Sequence, residues 1–179
     1  MSTRRRARTW TWAWTRDWRT TSGVVGLGLA LVMVANLSAW QQDLERENLS
    51  DLREINVVVE DLSDEVESAG LTRRALLDAA ERTLEERLVP LGGSSQGADL
   101  YINVATHRGS TGLYAYYARV SLQQMATIEG NQLRARVDTW DMASLGAVGE
   151  GNLPQVEQVI VQLVDLFCDD YLEMNDPVR

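Results

Sequence analysis

"LYAYYARVSLQQMATIEGNQLRARVDTW", Leu113 to Trp140, decides how this chain folds. In an extended strand successive side chains point to opposite faces. Tyr114, Tyr116, Ala118, Val120 and Leu122 would therefore share one face. Gly130-Asn131 offers the positive-φ residues of a tight hairpin turn, and Leu133, Ala135 and Val137 then alternate with Arg134, Arg136 and Asp138. The pattern predicts two long antiparallel strands with one buried face.

The rest of the domain is read outward from this hairpin. "DLYINVATH", Asp99 to His107, sets Leu100, Ile102 and Val104 against Tyr101, Asn103 and Ala105, and "RGSTG" turns it into the hairpin. Upstream, "EINVVVEDL" gives a further strand in which Ile55, Val57 and Val59 point one way. Between these two strands "LTRRALLDAAERTLEERL" carries Leu76, Ala80, Leu84 and Leu88 at i+4 spacing, which predicts a helix stopped by Pro90, Gly92 and Gly93. "SDEVESAG" reads as an acidic loop and "SLGAVGEGN" as a flexible one. The end, "LPQVEQVIVQLVDLFCDDYLEMN", is a long helix with Pro154 near its first turn and a stripe of Val156, Val159, Ile160, Leu163, Phe167 and Tyr171. The order is β-α-β-β-β-α. The expected fold is α+β, a two-layer sandwich of a four-stranded, mainly antiparallel sheet with two helices on one face, over residues 55–175.

A second segment bears on location. "SGVVGLGLALVMVANLSAW", Ser22 to Trp40, lies in a stretch, residues 20–42, without a charged residue. Nineteen helical residues span roughly 28 Å, close to the thickness of a bilayer core. The flank before it is basic, with Arg4, Arg5, Arg6, Arg8, Arg16 and Arg19 against Asp17, and the flank after it is mainly acidic. Positive charge stays on the cytoplasmic side, so the N-terminus is expected inside and the remainder outside the cytoplasmic membrane. A cleaved signal peptide would share that orientation, and Leu37-Ser38-Ala39 is a tolerable but poor cleavage site. Trp18 and Trp40 bracket the segment one bilayer apart, and Trp10, Trp12 and Trp14 interleave with Thr and Arg in the preceding tail. Indoles favour membrane–water interfaces, which supports a retained single-pass anchor. The expected organisation is a basic, Trp-rich cytoplasmic tail (1–19), an anchor or uncleaved signal (20–42), a charged stalk (43–54), the exported domain (55–175) and a short tail (176–179).

Charge divides along the chain. Residues 1–40 carry a net +5 and residues 41–179 a net −14, which together give the chain's −9. An acidic exported domain repels nucleic acid and anionic lipid, so nucleic acid is not an expected partner. All 17 basic residues are Arg, which excludes lysine Schiff-base and phosphate-loop lysine chemistry. The single cysteine, Cys168, permits no intramolecular disulfide and reads as a small packed side chain.

Catalytic signals are sparse. His107 is the lone histidine, too few for a His-based metal site or triad. The acidic run Asp61–Glu67 lacks the Gly-turned spacing of a calcium loop, and in Asp169–Asp176 Asp169 and Glu173 fall one helical turn apart on the solvent face, so both runs read as solvated surface. "DTWD", with Asp138, Trp140 and Asp141, joins an aromatic to two carboxylates at a strand end, either as an interface anchor or as a cap on the core edge. Tyr117 and Arg119 project outward together as a possible contact patch. No metal, cofactor or enzymatic activity is expected.

The element order after an export segment resembles small bacterial envelope domains: the periplasmic accessory domains of the curli-secretion CsgG and LpoB type, and the N-terminal domain of TolB. The resemblance covers residues 55–175 and is one of architecture. Several of those proteins carry a lipobox cysteine, which this chain lacks. It implies a non-catalytic adaptor or assembly factor. The expectation is a membrane-anchored structural or accessory subunit that contacts lipid through residues 20–42 and docks on, or stabilises, a larger envelope complex. The alternative is an exported domain that binds a small ligand or a divalent cation.

Overall fold

Alternation and helical stripes become four strands and three helices in the computed structural model, which describes residues 45–92 and 97–175. In chain order they are β1 (Ile55–Val59), α1 (Asp64–Ser68), α2 (Arg73–Glu86), β2 (Ala98–Arg108), β3 (Leu113–Ile128), β4 (Leu133–Gly149), a 3-10 turn (Glu150–Gln155) and α3 (Val156–Asn175). The sheet order is β1-β2-β3-β4. The last three strands form the expected antiparallel meander, but β1 runs parallel to β2, Val57 beside Leu100. The sheet is therefore mixed. The reason is the connection: α2 carries the chain back to the starting end before β2 begins, as a parallel pair requires.

One face of the sheet makes the core. Leu100, Leu122 and Trp140 stand in one row across β2, β3 and β4, and Ile102, Val120 and Met142 in the next. Against them pack Leu76, Ala80 and Leu84 of α2 and Ile160, Leu163, Phe167 and Tyr171 of α3. Both helices are thus amphipathic on the predicted stripes, except that Leu88 lies past the end of α2 with φ 59° and is 85% exposed. Thr72 caps α2: its hydroxyl oxygen accepts from the Ala75 N–H at 3.1 Å. At the other end the Arg87 guanidinium donates to both Asp165 and Asp169 and pins α2 to α3.

Four local expectations are corrected. The acidic loop contains α1, whose Val66 is buried and whose Glu65 accepts from the Tyr114 hydroxyl at 2.8 Å. The expected flexible loop "SLGAVGEGN" mostly continues β4, which reaches Gly149. Gly146 misled the reading: a Cβ there would lie 2.6 Å from the Tyr116 ring, so the glycine is what lets the tyrosine cross the strand. In the hairpin the positive φ (57°) falls at Gln132, after the Gly130-Asn131 pair. Its tip, with Ile128 and Leu133, overshoots the helices and leaves both residues exposed.

The last correction concerns the stretch read as a stalk. Of residues 43–54, those from 45 onward are described, and they lie against the domain: Leu49 is fully buried in the core and Leu52 packs on it. Asn175 Nδ2 donates to the Leu49 carbonyl at 2.8 Å, and Tyr171 Oη to the Leu52 carbonyl at 2.8 Å. The packed body thus begins before Ile55. The expected tail 1–19, the segment 20–42 and Trp10, Trp12, Trp14, Trp18 and Trp40 lie outside the described residues, as do residues 176–179. Among the described residues no helix is long and apolar enough to cross a membrane.

Candidate functional site

A four-stranded sheet has two faces, and the helices cover one. On the other, Ala105, Tyr117 and Leu145 form one row across β2, β3 and β4, and His107, Ala115 and Ala147 the next. All six are exposed, Leu145 by 79% and Tyr117 by 40%, with Leu113 and Ala143 beside them. Water-facing strand positions are ordinarily polar, so a row of Ala, Tyr and Leu open to solvent is an unusual apolar patch on the uncovered face.

The opposite end of that face is charged. Arg119 Nε donates to Asp141 at 3.1 Å and its Nη2 to Asp138 at 2.9 Å. The Asp141 hydrogen bond, foremost, and the charges of both carboxylates raise the guanidinium pKa above its ordinary value, so Arg119 stays cationic. Asp138 and Asp141 are three residues apart, and strict alternation would set them on opposite faces. A β-bulge between Leu122 and Gln123 of β3 and their partners makes the difference: Trp140 faces Leu122, Asp138 faces Gln123, and Thr139 is the extra residue. Nearby the Arg136 guanidinium donates to Asp99, which also accepts from Asn56 Nδ2 at 3.0 Å. Every charge in this patch is answered by another.

The same bulge turns Trp140 inward. It is 3% exposed, its ring meets Phe167 edge-on at 5.1 Å between centroids, and its indole N–H donates to Asp170 at 2.9 Å. Asp170 also accepts from Arg46 Nε at 2.9 Å, which ties the first described residues to α3 and β4. The "DTWD" motif is therefore divided. Its two carboxylates reach the surface with Arg119 and Tyr117, and its tryptophan is a core residue unavailable to a partner.

Cavities offer little room for a ligand at this motif. The space lined by Arg46, Trp140, Asp141 and Asp170 measures about 60 Å³, enough for one or two waters. A groove of about 490 Å³ lies elsewhere, where Asp51, Arg53, Glu54, Gln124 and Arg134 meet with charges of both signs. Among the described residues no three His, Cys, Asp or Glu side chains cluster to hold a metal. His107 is exposed at the end of β2. Cys168 is buried, and that burial pushes its thiol up to about 11, the reverse of an activated nucleophile.

No family model matches the chain, and no curated protein matches it. One solved structure with a similar chain is a minor lipoprotein from Acinetobacter baumannii. Its TM-score is 0.31 at 10% identity, covering 69% of this chain and 90% of that one. A likeness of that size assigns no role.

Of the candidates read from the sequence, Tyr117, Arg119, Asp138 and Asp141 lie together on the open face, where the sequence reading did not place Ala143, Leu145 and Ala147. Their signal was present as alternation in "MASLGAVG", masked by two glycines that read as a loop.

Proposed function

We propose that this chain is a non-enzymatic accessory subunit of a larger envelope complex. An anchor over residues 20–42 holds an acidic domain outside the cytoplasmic membrane, and that domain docks on protein partners through the open face of its sheet. The observation that carries the reading is the apolar row Ala105, Tyr117 and Leu145, left uncovered while Leu100, Ile102, Val120, Leu122 and Trp140 on the opposite face are buried in the core beneath the helices. A few buried aromatic and aliphatic anchors dominate the energy of protein contacts, and Tyr117 and Leu145 are placed to act as such. The charge supports the same assignment. A domain at net −14 avoids anionic lipid and nucleic acid, which leaves protein as the macromolecular partner.

The test uses native membranes solubilised gently and resolved by native electrophoresis. The wild-type chain is expected in an assembly heavier than itself. Tyr117→Glu should release it as the free, still membrane-bound subunit, and Leu88→Glu, at a more exposed apolar site just past the end of α2, should leave the assembly intact. A wild-type chain that runs alone would refute the proposal.

A further inference from the structure

The second half of β4 is a free sheet edge without the usual protection. β4 pairs with β3 on one side, and among the described residues no strand lies on the other. Natural sheets guard such edges with short strands, bulges, proline or charge, because unpaired N–H and C=O groups invite another strand. The opposite edge is guarded by length, since β1 has five residues. The first half of β4 is guarded as well. It carries Arg134, Arg136, Asp138 and Asp141 and the bulge at Thr139, whose carbonyl already accepts from Asn48 Nδ2 at 3.2 Å. From Met142 to Gly149, "MASLGAVG", there is no charge, no proline and no bulge.

We infer that two copies of this chain pair through Met142–Gly149 of β4, antiparallel, to make one continuous eight-stranded sheet. Three observations select a second copy over another occupant. Pairing a strand with itself antiparallel is isologous, so one surface supplies both halves of the contact. Two domains of net −14 repel each other, and this stretch is a neutral window where they can approach. The side chains also fit their own reflection. Centred on Leu145, the pairing sets Leu145 against its symmetry mate, Ala143 against Ala147 and Met142 against Val148, each pair on one face. Asp141 then meets Gly149, so no like charges face each other. The seven mutually paired residues, Met142 to Val148, span about 24 Å and exchange up to about eight backbone hydrogen bonds. The two open faces merge into one surface of twice the width. The inference is independent of which protein that surface contacts.

Directly opposed residues in an antiparallel pair lie about 4.5–5.5 Å apart at Cα, within the range a disulfide spans. The test introduces Leu145→Cys into the full chain in its native membrane. The buried Cys168 does not compete. Mild oxidation should convert Leu145→Cys to a covalent dimer. A mixture of Ala143→Cys and Ala147→Cys chains should cross-link to each other faster than either does to itself. Tyr117→Cys, three strand spacings or about 14 Å from its mate, should stay monomeric. If Leu145→Cys dimerises no faster than Tyr117→Cys, the pairing is wrong. The same follows if the mixed pair shows no preference. A disulfide dimer has twice the chain mass and is distinct from the heavier assembly of the proposed function, so either can fail alone. As a check that needs no cysteine, Leu145→Arg should place two cations in contact at the centre. The solubilised chain should then shift from dimer to monomer, and a size unchanged from wild type would also count against the inference.

Discussion

Replacing Asp170 by Ala strips one carboxylate from two partners in different parts of the chain. The Trp140 indole N–H, in a residue 3% exposed, loses the acceptor it holds at 2.9 Å. A buried donor left without a partner costs about 1–3 kcal/mol. Arg46 loses its ion pair as well, but its side chain is 40% exposed and screened by solvent, so that share is at most about 1 kcal/mol. Together the variant should lose about 1–4 kcal/mol, read as a lower urea midpoint by far-ultraviolet circular dichroism on the full chain. Trp140→Phe provides the internal control: it keeps an aromatic ring beside Phe167 and removes the N–H. In that background Asp170→Ala should cost only the Arg46 share, giving a coupling of about 1–3 kcal/mol between positions 140 and 170. Equal costs in both backgrounds, or a loss below about 0.5 kcal/mol in the wild type, would refute the view that Asp170 locks the entry segment, β4 and α3 together.

Two further outcomes follow from burial. Leu49→Ala should destabilise by about 2–5 kcal/mol in the same urea assay, because the side chain is fully buried in the core; an effect below about 0.5 kcal/mol would return residues 45–54 to the role of a loose stalk. Burial also raises the Cys168 thiol from 9.0 to about 11, so the folded state keeps its proton longer than the unfolded one. Its effect on stability is flat below pH 9 and falls between pH 9 and about 11, by up to about 3 kcal/mol. Cys168→Ala should lessen that fall, measured as urea midpoint against pH, and an identical pH slope in the variant would contradict the assignment.

The hairpin and both long helices were legible because their apolar periods are regular: Tyr114, Ala118 and Val120 at spacing two or four, Leu76, Ala80 and Leu84 at spacing four. What escaped was governed by contacts between segments distant in sequence. Gly146 reads locally as a breaker, and only the Tyr116 ring from the neighbouring strand makes it a strand residue. The bulge at Thr139 leaves no mark in a single strand's alternation, because it is a relation between two strands, yet it decides that Trp140 goes in while Asp138 and Asp141 go out. Leu49 sits among charged residues, and its backbone carbonyl accepts from Asn175, 126 positions away, a contact no local pattern encodes. The parallel placement of β1 likewise depends on how α2 returns the chain, which strand composition does not encode.

Site-specific photo-crosslinking in native membranes bears most directly on the claim that the open sheet face is a docking surface. With a photoreactive side chain at position 117, irradiation should give a discrete adduct to another protein. The same group at position 88, just past the end of α2, should give none. Adducts at neither position, or equally at both, would contradict the account.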